Sequence, residues 1–148
     1  MTRPPPGLRA AYRHFHLVPT RWMDNDVFGH VNNAHYYSYF DTAITAFEIG
    51  AGVLQAHAGH IPGNIMVVAE SGCRYHSELF FPDLVTVGLR VARLGGSSVR
   101  YELAAFRADN DAASAEGFMV HVCVDAQTRR PAPLPDAWRT ALQTVTEA

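Results

Sequence analysis

A carboxylate set just ahead of a helix can act on a carbonyl whose oxygen is held by the free backbone N–H groups of that helix's first turn. The run Arg21-Trp22-Met23-Asp24-Asn25-Asp26-Val27-Phe28-Gly29-His30-Val31-Asn32-Asn33 has this form. It supplies two carboxylates, a glycine to turn the chain and an Asn pair suited to a helix N-cap. It also stands directly before the only long apolar helical pattern in the sequence. Asp26 is the candidate to attack a carbonyl or to activate water toward one, while Asp24 is read as tying down the loop. Asn32 and Asn33 fit the cap and the oxyanion role together, because a capped terminus still presents free N–H groups. His30 is read as fixing the loop, with proton transfer as the alternative.

The elements that must position these groups follow from periodicity. His14 to Trp22 alternates in part and predicts a first strand in which Pro19 is tolerated at an edge. From Asn33 to about Leu54 the apolar residues Tyr36, Phe40, Ala43, Ile44, Phe47 and Leu54 recur at helical spacing. Ser38, Asp41, Thr45 and Glu48 fall on the other side. Asn64 to Leu79, Leu84 to Leu94, Ser97 to Ala108 and Ala115 to Asp125 read as strands. Pro82-Asp83, Gly95-Gly96 and Asp109-Asn110-Asp111 are read as hairpin joints between them. Asp136 to Thr146 closes as a short surface helix, and residues 1–13 form a flexible tail before a single domain spanning 14–148. The class is α+β, with a curved antiparallel sheet of five strands covered on one face by one long helix. The uncovered face and the open edges favour an obligate dimer.

Composition narrows the functional classes. Of the 148 residues 48% are hydrophobic and 18% charged, as in ordinary globular proteins, and net charge is −2. The basic residues are scattered, which excludes a nucleic-acid footprint. All twelve are arginine, which excludes Schiff-base chemistry on a lysine. No apolar run is long enough to span a bilayer. Cys73 and Cys123 read as unbridged thiols in a reducing compartment, and a cytoplasmic location is expected. His57-x-x-His60 lacks a third ligand at a recognisable spacing, so no metal is expected. His76 and His121 are read as structural. Glu70 and Arg74 share strand parity and point to one face. Arg90, Arg93 and Arg100, with Ser97 and Ser98, flank the Gly95-Gly96 turn and have the chemistry to hold phosphates. Val27, Phe28, Met66 and Val67 suggest an apolar pocket.

The run from Trp22 to Phe40 resembles the hotdog-fold thioesterases, specifically the 4-hydroxybenzoyl-CoA thioesterase-like group that acts on acyl-CoA. The match lies in Asp-x-Asp, Gly-His-Val-Asn-Asn and Tyr-Tyr-x-Tyr-Phe, and continues in Gly95-Gly96-Ser97-Ser98 and in Val124-Asp125 through Pro135. The resemblance implies a hotdog fold, with a five-stranded curved antiparallel sheet around one long central helix. It implies a homodimer or a dimer-of-dimers tetramer, acyl-CoA as substrate and no cofactor. It also makes Asp26 the catalytic carboxylate, with the acyl carbonyl polarised by a backbone N–H near Asn33. Gly29, Val31, Tyr36 and Glu70 are then expected on the substrate side, Glu70 reaching a neighbouring subunit's pocket, and Arg93, Ser97 and Ser98 at CoA. Some relatives carry histidine where Asn33 stands; Asn33 can orient water or bond Asp26 but cannot shuttle a proton. Two rival readings are a non-catalytic module binding acyl-CoA or an acyl carrier and a hotdog enoyl-thioester hydratase. The intact Asp-x-Asp-x-x-Gly-His favours hydrolysis. The acyl group, CoA against carrier protein, and nucleophile against general base stay open.

Overall fold

The computed structural model describes residues 2–55 and 63–147. The chain runs through β1 (His14–Pro19), α1 (Asn33–Gly50), β2 (Asn64–Tyr75), β3 (Leu84–Leu94), β4 (Ser98–Arg107), β5 (Ala115–Asp125) and α2 (Asp136–Gln143). Short 3-10 turns at Arg9–Ala11 and Trp22–Asp24 flank β1. The five strands form one antiparallel sheet in the order β1-β3-β4-β5-β2, and α1 packs on one of its faces. This is the α+β hotdog arrangement expected from the sequence.

Alternation along the strands sorts the two faces. Val85, Val87, Leu89 and Val91 of β3, Val99, Tyr101 and Leu103 of β4, and Met119 and Cys123 of β5 pack with Tyr36, Phe40, Ile44 and Phe47 of α1. Helix and sheet approach closely at Gly117. A Cβ there would meet the Phe40 ring at 2.5 Å and the Gly72 carbonyl oxygen at 2.8 Å. The opposite face carries a smaller cluster of Tyr12, Ala104, Phe106 and Ala113.

Several boundaries differ from the sequence reading. Pro82-Asp83 is not a hairpin joint. β2 pairs with β5 at the far edge, from Asn64 opposite Asp125 to Tyr75 opposite Ala115, and residues 76–83 cross over to β3. Local turn chemistry at Pro82-Asp83 says that the chain bends, and says nothing of which strand it next meets. α1 stops at Gly50 rather than near Leu54, because Val53 and Leu54 fold back to donate to the Glu48 carbonyl. Glu48 is buried and takes a 2.9 Å hydrogen bond from Tyr101 Oη, so it is not on the solvent side of the helix. Part of the segment read as a tail lies on the sheet: the Arg9 N–H donates to Asp111 O at 2.8 Å, and Tyr12 is buried edge-on against Phe106. Trp138 and Leu142 anchor α2. The His57-x-x-His60 pair lies outside the described residues. Among the described residues no helix is long and apolar enough to cross a membrane.

Candidate active site

Asp24 organises the loop. Its buried carboxylate accepts from the Arg21 backbone N–H and Nε, each at 2.9 Å, and from Tyr39 Oη at 2.7 Å. Burial pushes this carboxyl up, but the Tyr39 hydroxyl and the N–H groups and charge of Arg21 outweigh it and hold it below the usual range. The Asp24 carbonyl accepts the Asn32 N–H at 2.9 Å, closing the loop's two ends. Asn32 is the N-cap of α1, its Oδ1 accepting the Ala34 N–H at 3.0 Å.

Asp26 sits on the turn so enclosed. Its N–H donates to His30 O at 3.0 Å, and the Gly29 N–H returns to Asp26 O at 3.1 Å. That turn puts Gly29 at φ +86°, in the left-handed region where a side chain is strained. Asp26 Oδ1 accepts the Phe28 N–H at 2.9 Å; Oδ2 faces Asn32 Nδ2 at 3.4 Å and His30 Nε2 at 3.8 Å. The Asn33 N–H, first in the helix, has no acceptor among the described residues.

A cleft of about 410 Å³ opens over these groups. The loop contributes Asp26, Phe28, His30 and Val31, and α1 contributes Asn33 and Tyr36. The crossover after β2 supplies the other wall, with Tyr75, His76, Ser77 and Glu78. Loop and crossover are stitched together by Val31 N–H to Leu79 O at 2.7 Å and Phe81 N–H to Asn25 Oδ1 at 3.1 Å. Tyr36 and Tyr75 meet edge-on with ring centres 5.1 Å apart. Burial pushes the Tyr36 hydroxyl up to about 12, so it is neutral at ordinary pH and can donate a hydrogen bond. His30 Nδ1 lies 3.1 Å from Glu78 Oε1, and His76 Nε2 lies 2.8 Å from Glu116 Oε2.

The structure therefore brings together Asp26, His30, Val31, Asn33 and Tyr36, with Gly29 shaping their loop. Phe28 lines the cleft, whereas Val27 projects into solvent and Met66 and Val67 lie elsewhere on β2. Glu70 is exposed on β2, outside the cleft. Arg93, Ser97 and Ser98 are not joined to the site within one protomer. Along β5, Tyr75 pairs with Ala115 while Ser98 pairs with Val122, so the β3–β4 turn lies at the other end of the sheet, about 23 Å away at strand rise. Arg90 is held by Glu102 at 2.7 Å and Glu147 at 2.8 Å. The crossover wall, Glu78 above all, was missed by sequence reasoning. A surface glutamate in a connection carries no motif, and only the observed crossing sets it opposite His30.

A model of the thioesterase-like superfamily matches residues 18–142. No curated protein matches the chain. Among solved structures, the PA5185 protein of Pseudomonas aeruginosa is 44% identical, with 97% of this chain and 99% of that one covered at a TM-score of 0.91. The PA2801 protein of the same organism, a candidate thioesterase, is 31% identical over 88% of this chain and 98% of that one, with a TM-score of 0.80. The 1,4-dihydroxy-2-naphthoyl-CoA thioesterase of Synechocystis shares the fold at 16% identity, 87% and 94% coverage and a TM-score of 0.80. With a family match over most of its length and the fold of solved relatives, the chain belongs to the thioesterase-like superfamily and is a hotdog-fold thioester hydrolase.

Proposed function

We propose that the protein hydrolyses acyl-CoA thioesters to the free acid and CoA, with Asp26 as nucleophile or general base. The observation that carries this reading is that Asp26 shares one cleft with Asn33, whose amide has no acceptor among the described residues and stands at the positive end of an 18-residue helix. A thioester carbonyl directed at that amide develops its oxyanion where a fixed donor and the helix dipole already point. Phe28 N–H holds Oδ1, which leaves Oδ2 as the oxygen aimed at the carbonyl carbon or at a water. Asn32 Nδ2 orients Oδ2, while Val31 and Tyr36 border the acyl side of the cleft.

The test is thiol release from a panel of acyl-CoA esters, short, medium, long and benzoyl-type. Asp26→Asn is expected to lower turnover by about 10²-fold or more with circular dichroism and particle mass retained. A variant as active as the native protein would overturn the role of Asp26.

The quaternary state belongs to the same reading. β2 is an edge strand, paired among the described residues only to β5, and Val68, Ala69, Glu70 and Ser71 are exposed along it. Such an edge is completed by an isologous copy of itself. We propose a cytoplasmic homodimer, or a dimer of such dimers. The roles expected for Glu70, Arg93, Ser97 and Ser98 are then roles toward the partner's cleft. The two free cysteines suit a reducing compartment.

A further inference from the structure

We propose that His30 is the proton donor to the departing thiolate and that Glu78 is the residue that positions it. The proposal rests on the thioesterase reading with Asp26 as the attacking or water-activating group. The imidazole is set between two carboxylates from different parts of the chain. Nδ1 lies 3.1 Å from Glu78 Oε1 on the crossover, and Nε2 lies 3.8 Å from Asp26 Oδ2 on its own loop. The Phe28 ring stands beside it, with centres 6.3 Å apart. His76, Tyr36 and Tyr75 are the other titratable groups lining the cleft, and His76 is engaged with Glu116.

As the donor of this proposal, His30 presents one ring N–H to Glu78 and the other toward Asp26. Nε2 faces the space where Asp26 acts, and at 3.8 Å it is beside Asp26 beyond hydrogen-bond distance, which leaves it open toward the leaving group.

Both routes balance. If Asp26 attacks, its Oδ2 bonds to the acyl carbon and the C–S bond breaks with its electron pair on sulfur. The Nε2 proton passes to that sulfur. Neutral His30 then takes a proton from the water that opens the mixed anhydride, returning Asp26 carboxylate, free acid and imidazolium. If Asp26 activates water, hydroxide adds to the carbon, sulfur leaves with the His30 proton, and the proton held by Asp26 crosses to Nε2. In each case thioester plus water gives acid plus thiol, with nothing left over.

The leaving group supplies the test. A thiolate of high basicity, as from an N-acetylcysteamine thioester, needs a proton to depart; a 4-nitrothiophenolate does not. The rates of one acyl group on both thiols are compared in the native protein and in His30→Asn, Glu78→Gln, Glu78→Ala and Asp26→Asn. His30→Asn is expected to lower the alkyl-to-aryl rate ratio at least tenfold. Glu78→Ala is expected to lower that ratio in the same direction. Glu78→Gln, which keeps an acceptor for Nδ1–H, is expected to lower it less. Asp26→Asn should depress both rates and leave the ratio alone. A His30→Asn protein with an unchanged ratio overturns the proposal, whether its rates fall together or hold. Native-like rates in Asp26→Asn would instead strike the reading on which it rests.

Discussion

The two aspartates of the loop, two residues apart, are divided in task by their surroundings. Asp24 is enclosed and satisfied by Arg21 and Tyr39, whereas the Asp26 carboxylate is 21% exposed and bordered by a cleft. Asp24→Ala removes the partner of a buried hydroxyl and the clasp of the loop, and is expected to cost about 1–3 kcal/mol in urea unfolding. Because the carboxyl is held below its unfolded value, its contribution is present above about pH 4 and is lost as pH falls through the folded value. The stability gap between native protein and Asp24→Ala should therefore narrow in acid. A gap that is constant with pH would show that the carboxylate charge does not matter there. The pair was legible in sequence because a short loop before a helix is local. Glu78, the third carboxylate of the site, was not legible, since its closeness to His30 is created only by the crossover.

At the scale of elements, α1 meets β4 through a polar contact that amphipathic reading set in water. Glu48 is enclosed at Tyr101, and burial, helped by Asp41 and opposed by the Tyr101 hydrogen bond, pushes its carboxyl up to about 7. A raised carboxyl favours the folded state while protonated. Its contribution is complete below about pH 4.3 and lost as pH rises through 7, a change on the order of 3 kcal/mol. His121, edge-on to Tyr101 and with Nε2 lacking a partner among the described residues, is lowered by burial and works in the opposite sense. Its contribution is lost as pH falls below its unfolded range. Glu48→Gln should remove the fall in stability between about pH 4.3 and 7, as thermal unfolding across that range would record. An unchanged slope there would mean that another group titrates. Helical spacing could not reveal this. Glu48 lies at the margin of the apolar stripe, and only the position of Tyr101 across the core decides which way the margin faces. The Gly95-Gly96 turn, by contrast, was legible because β3 and β4 adjoin in sequence as in space.

For the whole molecule, both sheet edges are strands, and only β2 borders the cleft through its continuation into the crossover. Light scattering should give twice or four times the chain mass, and specific activity should fall on dilution below the dissociation constant of the oligomer. A monomer of full activity at micromolar concentration would exclude a site completed by a partner. The position of β2 also bears on how the protein is made. Tyr75 leaves the ribosome long before Ala115, and Asn64 longer before Asp125, although these are the pairs that hold the strand. Until β5 is synthesised the nascent chain carries a twelve-residue strand with no partner of its own, so nascent chains on neighbouring ribosomes offer one another the same edge. For the dimer proposed above, the order of the strands favours assembly during translation, and chains cut short before β5 are expected to be handed to chaperones or lost to aggregation.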